Sequence, residues 1–354
     1  MNTLKSLFFL LFAVVIVSCS GDDNYTPIVD DTATTDDSTD DTATTDDDPD
    51  PIVPVSFLAT LSEMDLFDGE LSALTPKDGV YLYELHSTLF TDYAKKQRLI
   101  KLPGDLAMEY AGDDLLPDFP DNTMIAKTFY YDLDETNPAA GKKIIETRIL
   151  LKIDGLWEVG NYLWNETQTE ATFDEDGGTF PITYVDGTGA TRNVDYMVPS
   201  RADCAICHFD DTAKVPIGPK LRNLNFNPNN EYVTINQLQF FIDNGALTFA
   251  PDPSTISVLP DWQDDVAYSL SDRARGYMDI NCAHCHNPTG VVAAFGIDMR
   301  LETAFDETLI YENRGEIEAR FLSTLPTYRM PQLGRTVVHE EAATMLVAYL
   351  ESLD

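Results

Sequence analysis

Two short segments constrain this chain more than any other feature: Cys204-Ala205-Ile206-Cys207-His208 and Cys282-Ala283-His284-Cys285-His286. Between them they use four of the five cysteines. Two thiols three positions apart can add to the two vinyl groups of one haem, and the next residue, a histidine, then lies under the iron as its proximal ligand. Other uses of paired thiols fit less well. A zinc ribbon separates its pairs by about 15–20 residues, whereas 74 residues lie between Cys207 and Cys282. A redox disulfide would need no histidine after it. Histidine makes up 5 of 354 residues, so chance places one after both pairs only about 2 times in 10,000, which is why the pattern reads as two covalently bound haem c groups.

The compartment agrees with that chemistry. Lys5 is followed by an apolar run from Leu7 to Val17 and then by Ser18 and Cys19. This is the charged start, apolar middle and small-residue end of a signal peptide over residues 1–18. Ile16-Val17-Ser18-Cys19 resembles a bacterial lipobox, which implies lipidation of Cys19 and an anchor in the cell envelope outside the cytoplasm. An ordinary secretory signal that happens to contain a cysteine is the alternative. Residues 19–54 then read as a disordered linker rich in Asp, Thr and Pro. Asp30–Asp37 recurs as Asp40–Asp47, and Pro49, Pro51 and Pro54 close the segment. Such a composition cannot bury enough apolar surface to offset chain entropy.

Removing the one Lys and twelve Asp of the first 54 residues takes the formal charge from −37 to −26, so the folded part is itself acidic. That charge repels phosphate backbones and argues against a nucleic-acid partner. It favours a redox protein with a basic docking face.

The folded part has two textures and predicts an α+β multidomain chain. Residues 55–200 read as an antiparallel, β-sandwich-like domain. Val80–Tyr83, Ile125–Tyr131 and Ile144–Ile153 are rich in β-branched and aromatic residues. Asp154-Gly155 before Trp157–Trp164 is a hairpin signal. Gly177-Gly178 and Asp186-Gly187 punctuate further strands, and Trp157 and Trp164 read as core. Residues 201–268 carry the first motif, and Thr234–Asn244 reads as a helix capped by Thr234 and stopped by Gly245. Residues 269–354 carry the second motif. Ser269–Asn281 reads as a helix with Ser269 and Asp272 spaced as a capping box, and His339–Ser352 as an amphipathic closing helix.

The helix before Cys282 and the closing helix together resemble the class I cytochrome c fold, in which two terminal helices cross over one haem. The resemblance puts Ala274 and Met278 on one side of the crossing and Leu346 and Tyr349 on the other. Tyr328-Arg329-Met330-Pro331-Gln332-Leu333-Gly334 resembles that family's Met-Pro loop. It implies Met330 as the distal ligand of the second haem, beside Cys282, Cys285 and His286. Around the first motif, Ile217-Gly218-Pro219-Lys220-Leu221 resembles the family's Gly-Pro-x-Leu. It implies that the Pro219 carbonyl orients His208. The sixth ligand of that haem is open, with His339, His86 and Met197 as candidates. No helix pattern precedes Cys204. Arg222, Arg300, Arg329 and Arg335 flank the motifs and suit haem carboxylates.

Most of residues 57–354 is also similar to a bacterial family of di-haem lipoproteins with an N-terminal β domain. Leu89–Ala94, Glu146–Arg148, Tyr162–Glu166, Asn281–Pro288 and Leu333–Arg335 carry that likeness. It implies an architecture without assigning a reaction. The stretch from Gly296 to Tyr328 departs from it, as though a loop were trimmed.

These readings lead first to a lipid-anchored electron carrier. An enzyme of the di-haem peroxidase type, reacting at the His208 iron, is the alternative. A β domain that captures a ligand while the haems move electrons is the other. For a carrier with this charge, electron exchange with a basic partner is expected to slow steeply as salt is added, measured by stopped-flow at rising ionic strength. Rates that ignore salt would exclude electrostatic docking.

Overall fold

The computed structural model describes residues 56–354, so Cys19, the signal peptide and the whole linker lie outside the described residues. The described residues form one compact unit. Among the described residues no helix is long and apolar enough to cross a membrane.

A six-stranded antiparallel sheet organises the chain. Its strands are β1 (Val80–Leu82), β2 (Lys95–Lys101), β4 (Met124–Asp132), β5 (Lys142–Ile153), β6 (Leu156–Trp164) and β7 (Ala171–Asp174), in the order β1-β2-β4-β5-β6-β7. The short β3 (Met108–Glu109) lies outside it. Asp154 and Gly155 both take positive φ, 49° and 79°, and make the tight β5–β6 turn that Asp-Gly signals. Successive residues point to opposite faces. One face carries Leu99, Met124, Ala126, Ile149 and Tyr162, packed under Leu61, Met64 and Leu66 of the segment that precedes β1.

The other face is divided. At one end Ile125, Leu150 and Val159 join a core with Cys204, Leu221, Leu238 and Phe241. At the other end Phe129 and Tyr131 pack against the hairpin of β8 (Gly178–Val185) and β9 (Thr191–Val198) through Ile182, Tyr184, Val194 and Tyr196. The second β layer is therefore a two-stranded hairpin over part of one face. Trp157 and Trp164 are buried core residues, each 8% exposed, and Trp164 donates its indole N–H to the Thr147 hydroxyl at 3.0 Å.

Six α-helices are described: α1 (Arg201–His208), α2 (Leu221–Leu224), α3 (Gln237–Asp243), α4 (Leu270–Asn281), α5 (Ile310–Leu322) and α6 (Glu340–Glu351). Between α1 and α2 lies a small ribbon of β10 (Phe209–Asp210) and β11 (Ala213–Lys214), and β12 (Leu247–Thr248) pairs with β3. The segment 201–259 shares the sheet's core, whereas α4, α5 and α6 build a cluster of their own around Trp262 and Met299. Ala274, Met278, Leu346 and Tyr349 all lie in that cluster, so α4 and α6 pack against each other.

Three details differ from the sequence reading. The helix expected from Thr234 starts three residues later, because Asn236 is the residue whose side chain accepts from the Leu238 and Gln239 N–H groups. A helix does span the first motif. The stretch from Gly296 to Tyr328 holds α5, a full three-turn helix.

Gly276 lies where α4 crosses the Pro260 backbone, and a β-carbon there would stand 2.6 Å from the Pro260 carbonyl oxygen. Alanine is the better helix former, yet Gly276→Ala is expected to destabilise the chain by about 1–3 kcal/mol through overpacking. A urea unfolding midpoint measures it, and a midpoint that rises would show that propensity outweighs the contact.

Candidate functional site

The first motif is built by a local cap and a local turn. Ser200 accepts from the Asp203 N–H while the Asp203 carboxylate accepts from the Ser200 N–H, a reciprocal capping box that starts α1. One turn of helix separates Cys204 from Cys207, so both thiols share a face. His208 ends the helix. The β10–β11 ribbon then turns the chain back, and Val215 meets His208 twice. Its N–H donates to the His208 carbonyl at 2.7 Å, and its carbonyl accepts from His208 Nδ1 at 2.7 Å. A carbonyl can only accept, so the proton is on Nδ1 and Nε2 keeps a free lone pair. Burial pushes the His208 imidazolium down to about 3, so the ring is neutral at physiological pH. Val215 therefore does what the resemblance assigned to Pro219. The chain reverses at Asp211, three residues after the motif, and brings Val215 back first.

Cys204, Cys207 and His208 line one cavity that opens to solvent. It lies between the middle of the sheet, α1, and the loop that precedes α6. Leu85, Leu89, Phe90 and Leu150 give it apolar walls. Lys96, Arg98, Lys127 and Arg148 also face it. Arg98 pairs with Glu84 at 2.9 Å. Arg148 grips the fully buried Glu146 with two bonds of 2.5 and 2.9 Å, and Glu146 also accepts from the Tyr196 hydroxyl at 2.6 Å.

The second motif caps α4. Cys282 N–H donates to the Met278 carbonyl, and His286 N–H to the Cys282 carbonyl, both at 2.9 Å. His286 Nδ1 is buried and has no hydrogen-bond partner among the described residues. Burial pushes the Cys282 thiol up to about 12. The two motifs meet at Cys207, His284 and Cys285, whose ligand atoms all lie within 4.8 Å of one another. The Cys285 thiol donates toward Cys207, which holds Cys207 down and Cys285 up. His284 adds to the lowering of Cys207 and also lines the first cavity.

The remaining sequence candidates fall as follows. Met330 is half-buried on the loop before α6, with its N–H on the Arg320 carbonyl at 3.0 Å. Its neighbours Pro331, Leu333 and Gly334 line the first motif's cavity. His339 stacks on Phe90 at 4.1 Å, and its Nδ1 meets the Tyr277 hydroxyl at 3.0 Å. Burial brings it down to about 4. His86 holds the Leu259 carbonyl through Nδ1 at 2.7 Å. Met197 sits opposite Thr179 in the β8–β9 hairpin. Of the four flanking arginines, Arg335 reaches the cavity. Arg222 is engaged by Asp279 and Glu302, Arg300 by Asp298, and Arg329 by backbone carbonyls.

The donor set of the first motif fits a covalently attached haem: two thiols and an oriented, neutral imidazole share one largely apolar cavity, with cations for its carboxylates. At the second motif the residues follow the same order, with Cys285 in contact with Cys207. The sheet cations were not read from the sequence. Their signal is a single charge inside an apolar strand, as in Ile125-Ala126-Lys127-Thr128-Phe129. No protein-family model, curated protein or solved structure matches this chain.

Glu146→Gln is expected to cost about 3 kcal/mol, because breaking a buried pair leaves an uncompensated cation. Chemical denaturation with an unchanged m-value would measure it, and a loss below the noise would show that Arg148 finds another partner.

Proposed function

We propose that this chain is a lipid-anchored, extracytoplasmic di-haem c-type cytochrome that transfers electrons. Its N-terminal part is read as a β-sandwich-like domain and its C-terminal part as a class I cytochrome c-like region. The observation that carries the reading is the first motif: Cys204, Cys207 and His208 open on one cavity, and the Val215 carbonyl aims the ring. Cys204 and Cys207 would hold the first haem and His208 its iron. Cys282, Cys285 and His286 would hold the second, with Met330 as the distal ligand. Bound there, haem supplies a one-electron couple. The packing of Ala274 and Met278 against Leu346 and Tyr349 supports the cytochrome-like reading. The contact of Cys207 with Cys285 suits passage of an electron between two neighbouring attachment points. Cys19 would tether the chain to the envelope, and a basic redox protein would be its partner.

A second reading is an enzyme of the di-haem peroxidase type. In its favour, none of His339, His86, Met197 and Met330 lines the cavity of His208. Catalytic turnover of peroxide by the reduced protein tests it.

Intact mass and a haem count decide the main proposal. The full chain, made in cells that mature c-type cytochromes, is expected to carry two haems, and Cys204→Ala with Cys207→Ala is expected to carry one. A wild-type mass without added porphyrin would overturn the redox reading.

A further inference from the structure

Strand register brings three cations side by side. Arg98 of β2 stands directly opposite Lys127 of β4, and Lys127 directly opposite Arg148 of β5. Lys96, two residues before Arg98, shares their face. Like charges directly opposite one another destabilise a sheet, and all four face the first motif's cavity. Carboxylates answer only part of the row. Glu84 pairs with Arg98 and Glu146 with Arg148. Lys127 Nζ reaches the Ile217 carbonyl at 2.8 Å, and Lys96 Nζ the Leu89 carbonyl at 2.6 Å. Among the described residues neither lysine has an ion pair within 4.0 Å, in a chain with 60 acidic residues. Arg335, on the facing wall, is likewise bonded only to backbone carbonyls.

We propose that this row is an anion seat that receives a carboxylate or comparable oxyanion group inside the cavity. Two sources share that chemistry: the propionates of the haem on Cys204 and Cys207, or a free dianion bound beside it. The inference goes beyond the electron-transfer reading and rests on it only for the first source. Burial and then the Arg98 and Arg148 charges push Lys127 down to about 7, and the same causes push Lys96 well below its usual range. A seated anion would supply the missing countercharge and hold both amines protonated. The sheet also offers what an anion site on a loop lacks. Arg98, Lys127 and Arg148 are spaced by the ladder itself, so the cost of gathering them falls on folding and not on binding.

The full chain is prepared twice, from cells that attach haem and from cells that make none. Its unfolding temperature is read in chloride and, at equal ionic strength, in sulfate and in succinate. Exclusion of such salts from the surface stabilises any variant, so the comparison is with Lys127→Met under the same conditions. The haem-free wild type is expected to gain more from sulfate and succinate than Lys127→Met does. If the haem-loaded chain loses that extra gain, propionates hold the row; if it keeps the gain, a free dianion is the ligand. Equal gains in the haem-free wild type and Lys127→Met overturn the proposal. A haem count of zero would end the cytochrome reading and leave the haem-free comparison standing. Should the haem-free chain show no cooperative transition, potentiometry of the loaded chain decides. Lys127→Met is expected to lower the potential of one haem only, because loss of a nearby positive charge favours the ferric state, and unchanged potentials overturn the proposal.

Discussion

The opposition of Arg98, Lys127 and Arg148 across three strands is the constraint around which the rest of this molecule is arranged. An apolar face would close into one continuous core. Here charge interrupts it, with Ile125 and Leu150 packed at one end and Phe129 and Tyr131 at the other. The interruption keeps a cavity open in the middle of the face. Glu146, wholly buried and bonded to both Arg148 and Tyr196, makes the interruption tolerable by neutralising one member of the row and tying it to the β8–β9 hairpin. A cavity lined by cations in an acidic chain is costly unless something negative occupies it. The same feature thus shapes the packing and points to the chemistry.

The helical elements bring reactive side chains to that opening. A capping box places Cys204 and Cys207 on the wall, and a four-strand-residue ribbon returns Val215 to His208. The loop before α6 closes the far side with Leu333, Gly334 and Arg335. The second motif, on a helix with its own core, then touches the first through Cys285 and His284. Two motifs that are remote along the chain become neighbours where the C-terminal end of α4 and the residues after it meet α1 at the first cavity.

Much of the strand layout is legible in the residues themselves. β4, β5 and β6 announce themselves by β-branched and aromatic runs, and the β5–β6 turn by its Asp154-Gly155 pair, whose φ angles are both positive. β2 does not, because five of its seven side chains, Lys95, Lys96, Gln97, Arg98 and Lys101, are polar or charged. It is held by pairing with β4 and by the burial of Leu99 and Ile100. α5 is hidden for another reason. Leu309 starts it from a left-handed backbone with no side-chain cap, and Gly315 interrupts its pattern. α1 is legible in Ser200 and Asp203, once its capping box is sought ahead of Cys204 rather than ahead of an apolar run.

Local chemistry is what the amino-acid order alone determines: the paired thiols, the histidine after each pair, the caps and tight turns, the acidic balance. Each depends on residues within a few positions of one another. Tertiary structure alone decided that the two motifs touch, that the Val215 carbonyl and not that of Pro219 accepts from His208 Nδ1, and that three basic residues from three strands stand in line. Those facts depend on strand register and helix docking, which are settled by packing between parts of the chain that are far apart in sequence.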